Sequence, residues 1–194
     1  MGADIKIFGE KQVDGEWVTV DIKDALSNRC YSIFGWLADI RNWSQVGPLS
    51  APRGLPKRDT EKRKELIDIY YANREGCYPS YEDYYEDVFA EYDVSEEVSR
   101  EYADDSQCGC TVHSTWYSVD ELLDVDYNQI VEDRRCVKNI HGVVEEYQNG
   151  GDTCNPGDGV KLNLRSFLGE WYFEDLNTIV NSGAERIIFW FDQG

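Results

Sequence analysis

The chain has 194 residues, of which 41% are hydrophobic and 13% aromatic, enough apolar side chain to bury the core of one domain. Acidic residues outnumber basic ones by 38 to 19, which gives a net charge of -19. Because general nucleic-acid binding depends on Lys and Arg to neutralise phosphates, this balance argues against a direct nucleic-acid partner. We find neither a secretory leader pattern nor an apolar run near the roughly 20 residues that span a bilayer, so we expect a cytoplasmic protein with no membrane partner.

The first twenty residues predict a β-hairpin. Ile5, Ile7 and Val13 take alternating or near-alternating positions, which is typical of a strand. Asp14-Gly15 is a strong signal for a two-residue turn, and Trp17 begins the second strand.

Helices and a stiff loop are predicted next. Ile33, Leu37 and Ile40 share one helical face, which predicts a helix over residues 32–42. The prolines and glycines at 47–56 then predict an irregular, stiff loop. Ser118 and Glu121 have the spacing of a capping box, so we expect a helix to begin after Ser118.

The last part of the chain predicts one long helix and one buried strand. The helix covers residues 167–180 and ends at Gly183, and an apolar strand follows at 186–191. Strand-rich ends with helices between them predict an α+β fold, with a mixed or antiparallel sheet that contains both termini and packs against helices. We expect one domain over residues 1–194.

A segment at about 57–92 predicts a helical insertion rich in tyrosine and acidic residues. It is interpreted in three ways: a solvated helix whose tyrosines pack on the body, a protein interface, or a nucleic-acid mimic with carboxylates in place of phosphates. Basic residues at 57–64 weaken the mimic, because they place positive charge beside it. The residues predicted to face a partner are Tyr81, Glu82, Asp83, Tyr85, Glu86 and Asp87.

Two arginines stand in the aromatic, glycine- and proline-rich stretch at 31–56. A guanidinium group matches phosphate or carboxylate oxygens, glycine allows close approach of a ligand, and aromatic rings stack on bases. The predicted ligand-binding residues are Arg41, Asn42, Trp43, Arg53, Gly54, His113 and Trp116. The alternative is structural: the arginines bridge carboxylates such as Asp4 or Asp192 and hold loops in place.

Metal and catalytic interpretations are weaker. Cys108, Cys110, His113 and Cys136 could build a zinc site, but their spacing matches no standard pattern, so we expect reduced thiols and neither metal nor cofactor. His113 with Ser114 or nearby carboxylates could serve a hydrolase. Adjacent residues rarely form a base and nucleophile, and no nucleophile-elbow motif is present, so we expect no catalytic residues.

Several segments together resemble a family of small phage and bacterial proteins of uncharacterised function that begin MGxDIH and end RIVFWFDN. The matching segments are MGADI at 1–5, YSIFGWLADIRNW at 31–43, APRGLP at 51–56, DVSEEVSREY at 93–102, WYSVDELL at 116–123, FLGEWYFEDL at 167–176 and RIIFWFDQ at 186–193. This chain departs from the family at Lys6, where a histidine is usual, and in carrying the insertion at 57–92.

Three function hypotheses follow from the loop arginines, the acidic composition and the phage resemblance. The first is a non-catalytic protein that captures a nucleotide-like or other phosphorylated small molecule in the host cytoplasm and thereby sequesters a defence signal. The second is an acidic inhibitor that binds a host defence protein directly. The third is a hydrolase that uses His113 and carboxylates. A homo-oligomer is compatible with each.

Overall fold

Both ends of the chain lie in one antiparallel sheet, as the sequence predicts. The computed structural model describes residues 2–64, 88–107, 111–138, 144–146 and 153–192. The sheet has the order β2-β1-β8-β3, with all neighbours antiparallel. Its strands are β1 (Asp4–Val13), β2 (Glu16–Val20), β3 (Thr111–Ser118) and β8 (Arg186–Asp192). These elements confirm the α+β fold, and the single-domain organisation stays a prediction.

The remaining elements are short helices and two small ribbons. The helices are α1 (Tyr31–Ala38), α2 (Glu96–Gln107), α3 (Val119–Leu123), α4 (Leu164–Leu168) and α5 (Glu170–Ser182), with further helical residues at 60–64 and 88–91. The ribbons pair β4 (Ile130–Asp133) with β7 (Val160–Asn163), and β5 (Cys136–Lys138) with β6 (Val144–Glu146).

The predicted hairpin is confirmed. Asp14 and Gly15 both have positive φ, 53° and 88°, and Val13 pairs with Glu16 across the turn. Two successive left-handed residues match the right-handed twist of the strands that they join. The turn therefore fixes the register of β1 against β2.

The central strand β8 is buried on both faces, which explains its continuous apolar sequence. Ile187, Phe189 and Phe191 pack into the larger core, which α1, α4 and α5 cover. Ile188 and Trp190 point to the opposite face and pack in a smaller cluster under α2. The alternation of side chains along a strand places successive apolar residues in two different cores.

Two helix boundaries differ from the prediction. Helix α1 ends at Ala38, because Asp39 adopts the left-handed conformation with φ 58°, and does not continue to residue 42. The single helix predicted at 167–180 is wrong: Gly169, with φ 78° and ψ 167°, separates α4 from α5. The capping box at Ser118 is confirmed, since the Ser118 hydroxyl and the Glu121 carboxylate each accept the other residue's backbone N–H.

Candidate functional site

The outer edge of β3 is where several predicted site residues meet. The pairing of β3 with β8 shifts register between Val112 and Thr115, which marks a β-bulge. His113 lies in this bulge with a φ of 53°, a conformation that residues other than glycine seldom adopt. The bulge turns residues 113 and 114 towards the loop that follows α1.

The His113 ring contacts the end of α1. Its Nδ1 lies 2.7 Å from the carbonyl oxygen of Ala38, which can only accept a hydrogen bond. Nδ1 therefore carries the proton, and in the neutral ring the lone pair is on Nε2. The residue as a whole is exposed.

The stiff loop at 47–56 covers the same edge. Gly54 N–H donates to the Ser114 carbonyl at 2.9 Å, and Arg53 N–H donates to the Thr115 hydroxyl at 3.1 Å. Gly54 has a φ of 73°, which favours glycine at this position. The glycine thus lets the loop turn close to β3, whereas we predicted that it would let a ligand approach.

The Arg53 guanidinium is held by a carboxylate. Its two terminal nitrogens lie 3.1 Å and 2.8 Å from the two oxygens of Glu121, and the group stacks over the rings of Trp116 and Tyr117. Hydrogen bonding to Glu121 raises the pKa of Arg53, and hydrogen bonding to Arg53 lowers the pKa of Glu121. These contacts support the structural interpretation of Arg53, with Glu121 rather than Asp4 or Asp192 as its partner.

The remaining predicted ligand residues lie in the turn after α1. The Asn42 side chain donates to Asp39 and to the Val46 carbonyl, both at 2.8 Å, and accepts from the Ser44 hydroxyl. The hydrogen bonds of the Asn42 side-chain amide therefore stabilise the turn itself. Trp43 packs edge-on against Tyr31 at 5.0 Å between ring centroids.

Arg41 lies in this turn, close in sequence to the residue that His113 contacts. It has a φ of 49° and lies three residues after Ala38, whose carbonyl receives His113. The structure thus brings His113, Gly54, Arg53 and Trp116 to one edge and places Arg41 beside them along the chain. Sequence reasoning missed Glu121 as the arginine's partner, although the capping box had already marked a glutamate at that position.

Other predicted sites fall partly or wholly outside the described residues. The predicted partner-facing residues at 81–87 lie outside them, as do Cys108 and Cys110 of the zinc prediction, while Cys136 lies in β5. Within the described ranges, no three His, Cys, Asp or Glu side chains are grouped to hold a metal ion. The interface at 81–87 and the zinc site stay predictions.

A groove lies beside β1, away from the β3 edge of the sheet. It has a volume of about 690 Å³, within the range of ligand-binding clefts, and follows β1 from Ile5 to Gly9. One wall is the chain at 19–24 with Ser27, and the other is α2 through Glu97 and Glu101. Strand β2 ends at Val20, opposite Gly9, so the groove lies where β1 has lost its neighbour.

Charged side chains rim this groove with an excess of acid. The described lining residues include Asp21, Asp24, Glu97 and Glu101, against Lys6 and Lys23. Lys6 is already paired with Glu101 at 2.7 Å and with Asp105 at 3.0 Å. The rim therefore favours a cationic ligand.

A buried ion pair anchors the α2 wall to the sheet. Glu10 is fully buried and accepts from Arg186 at 2.9 and 2.7 Å, and from the Ser95 N–H at 2.7 Å. Ser95 directly precedes α2, and Arg186 opens β8 with its guanidinium 3.4 Å from the centre of the Trp17 ring. Burial lowers the pKa of Arg186, although Glu10 opposes that shift. Sequence reasoning did not identify this pair, because neither residue stands in a recognisable motif.

Comparisons with protein-family models, curated proteins and solved structures found no match to this chain. The resemblance to the phage family therefore stays a prediction. Among the described residues, no helix has the length and hydrophobicity needed to cross a membrane.

Proposed function

We propose that this protein is a non-catalytic binding protein whose groove beside β1 takes an extended, positively charged segment of another protein. The observation that carries the proposal is the acid-rimmed groove along a stretch of β1 that, within the described part of the chain, pairs with β8 alone. The proposal belongs to the predicted class of acidic proteins that bind a partner directly, in the setting of a phage protein that acts on its host. The contact surface is the groove, rather than residues 81–87.

Shape supports a polypeptide as the ligand. The groove follows a strand, and Ile5, Ile7 and Phe8 contribute to its lining between two charged walls. Apolar side chains along a strand with a polar rim are what an extended peptide meets on a receptor sheet. A compact phosphorylated metabolite would instead need several converging cationic donors.

Charge supports a basic sequence. The whole chain carries a net charge of -19, so its field attracts cations, and Asp21, Asp24 and Glu97 leave the groove rim negative after Lys6 is paired. Such a field raises the rate of encounter with a basic partner and weakens as salt rises. We expect binding that depends strongly on ionic strength.

The test is fluorescence anisotropy with two labelled hexapeptides, one alternating lysine and valine and the other alternating glutamate and valine. The lysine probe should bind and the glutamate probe should not. The double variant Asp21→Asn, Asp24→Asn should lower lysine-probe affinity about two- to tenfold, the range for partly exposed charge pairs. Asparagine retains the Asp21 acceptor for Lys23 N–H and tolerates the left-handed φ of 58° at position 24.

The matched control is Asp124→Asn, Glu174→Gln, which removes two exposed carboxylates outside the groove. It changes the net charge equally, so it should leave affinity close to that of the parent protein. Failure of the lysine probe to bind at low salt would overturn the proposed function. If both double variants lost the same affinity for the lysine probe, binding would depend on the net charge of the protein and not on the groove.

Capture of a nucleotide-like or phosphorylated molecule is the second candidate. The observation in its favour is that two non-glycine residues, Arg41 and His113, have positive φ values of 49° and 53°, and that Arg41 lies three residues after Ala38, which His113 contacts. Such strain is concentrated at binding sites. The test is calorimetric titration with adenosine monophosphate and with inorganic phosphate, using Arg41→Ala. The candidate fails if neither probe releases heat, or if Arg41→Ala binds as tightly as the parent.

A further inference from the structure

We infer that the groove binds its ligand by strand addition: the segment continues the line of β2 and bonds to the backbone of Ile5 and Ile7. This inference rests on the function proposed above and specifies how the partner is held. Strand β2 pairs with β1 only from Gly9 to Val13, whereas β8 pairs with β1 from Asp4 to Glu10. Five residues, Asp4 to Phe8, therefore have a strand on one side only among the described residues.

The hairpin turn determines which backbone groups face the groove. In a two-residue hairpin the flanking pair, here Val13 and Glu16, exchanges both hydrogen bonds, so the odd-numbered residues of β1 bond towards β2. The even-numbered residues bond towards β8, and the Glu10 carbonyl accepts from Glu185 N–H on that side. Ile5 and Ile7 consequently direct their N–H and C=O groups into the groove.

Packing at Gly9 explains why the edge is open. A Cβ atom on Gly9 would lie 2.4 Å from Ile22 Cγ2, so Ile22 occupies the space beside this glycine. The chain leaving β2 therefore turns against the sheet at Gly9 instead of running on beside residues 4–8. Arg29 bonds to the Asp4 carboxylate, so the stretch that lines the groove without a β2 partner is Ile5 to Phe8. It is roughly 13 Å long at about 3.3 Å per residue, which suits a short extended segment.

Side-chain alternation specifies the pattern of the bound segment. Ile5 and Ile7 belong to the larger core, on the side of the groove where Ile22 lies. Lys6 points to the other side, towards Glu101 on α2. A strand added here would place alternate residues on these two sides. The structure thus assigns an alternating sequence: apolar residues beside Ile22, and Lys or Arg beside Glu97 and Glu101.

The test replaces single backbone amides by esters, which removes an N–H donor and leaves the side chain unchanged. A synthetic segment 1–29 can be ligated at Cys30, a free cysteine. The Ile7 ester should weaken binding of the lysine–valine hexapeptide about fivefold, the usual net effect of one hydrogen bond. The stability of the unliganded protein should change less than in the control below, because no strand among the described residues pairs with the Ile7 N–H and only the Lys6 carbonyl on the β8 side is weakened.

The Lys6 ester is the matched control. Its missing N–H faces β8, so it should lower stability. It keeps every N–H that faces the groove and only weakens the Ile5 carbonyl as an acceptor, so probe affinity should fall less than in the Ile7 ester. Equal affinity of the parent and the Ile7 ester would overturn strand addition, and the proposed function would survive because the probe still binds. No binding to the parent would instead overturn the proposed function itself.

A second version of the test alters only the peptide, and it applies even if an ester protein fails to fold. Two hexapeptides carry N-methyl groups on alternate residues, one on the valines and the other on the lysines. In an added strand, alternate residues direct their N–H groups towards β1 and the others direct them to solvent. Methylation of the N–H groups that face β1 should abolish binding, whereas methylation of those that face solvent should leave it intact. Equal behaviour of the two probes would overturn the inference. So would a concentration-dependent dimer of the free protein joined through residues 4–8.

Discussion

The two sides of the sheet differ in how their backbone edges are covered. On the β3 side, Gly54 and Arg53 donate backbone N–H groups to Ser114 and Thr115, and the His113 ring bonds to Ala38. On the β1 side, residues 5–9 line a groove of about 690 Å³. Natural sheets cover, bend or charge their edges to avoid unwanted pairing. The arginine-containing loop at 47–56 therefore covers the edge of β3, whereas the groove leaves part of β1 accessible.

The two sides of the sheet also differ in how their charged groups are paired. On the β3 side, Arg53 is neutralised by Glu121 through two hydrogen bonds. On the β1 side, carboxylates exceed ammonium groups at the rim, and the buried pair of Glu10 and Arg186 lies behind the α2 wall. Four substitutions test these differences, and they are given in order of decreasing expected effect.

Glu10→Gln should have the largest effect. The change leaves the buried Arg186 without its counter-ion and weakens the bond to Ser95 N–H, so the free energy of unfolding should fall by about 3–5 kcal/mol. Urea denaturation measures this loss. Glu185→Gln, at an exposed neighbouring carboxylate, is the control and should change stability by less than about 0.5 kcal/mol. Similar losses in both variants would contradict the importance of the buried pair.

Tyr117→Phe should have the next largest effect. The buried Tyr117 hydroxyl donates to the Leu37 carbonyl at 2.8 Å and lies 3.0 Å from the Ser50 hydroxyl, so it joins β3 to α1 and to the covering loop. Its loss should cost about 1–2 kcal/mol of unfolding free energy. Thermal unfolding provides the measurement, with Tyr31→Phe, at a half-buried tyrosine, as comparison. An unchanged melting temperature would show that this bond does not hold the loop.

Asn42→Ala tests whether the turn after α1 is structural. The variant removes the donors to Asp39 and Val46 and the acceptor for Ser44, so unfolding free energy should fall by about 1 kcal/mol. Denaturant titration gives the value, and adenosine monophosphate titration of the same variant gives the ligand effect. Full stability together with loss of nucleotide binding would reverse the interpretation and make Asn42 a ligand residue.

Arg53→Gln should have the smallest effect, visible mainly as a pH shift. Hydrogen bonding to Arg53 lowers the pKa of Glu121 below its ordinary value of 4.5, so the pair stabilises the protein above that pH and the contribution is lost as pH falls through the lowered value. In the variant, the Glu121 pKa should rise towards 4.5. NMR titration of the Glu121 side chain measures this. An unchanged pKa would mean that Ser118 N–H, not Arg53, sets it.

Local signals made much of the fold predictable. Asp14-Gly15 gave the hairpin its turn, the Ser118 and Glu121 spacing marked the start of α3, and the apolar run at 186–191 identified the central strand. The break at Gly169 was missed, because the apolar spacing is nearly continuous across it. Helical periodicity alone does not show where one glycine changes the chain direction.

The candidate site was harder to predict, because it depends on contacts between distant residues. Arg53 and Glu121 are 68 positions apart, and the open edge of β1 exists only because Ile22 packs against Gly9. Neither relation has a local sequence signature. The predicted cluster at Arg53, Gly54, His113 and Trp116 does meet in space, and its contacts are mainly with the protein itself.

Amide hydrogen exchange at Ile5 and Ile7, read by NMR with and without the lysine–valine hexapeptide, is the decisive test of strand addition in the groove. We expect fast exchange at both amides in the free protein and strong slowing on binding, with Lys6 and Phe8 protected throughout by β8. A saturating peptide that leaves Ile5 and Ile7 exchanging as before would contradict it.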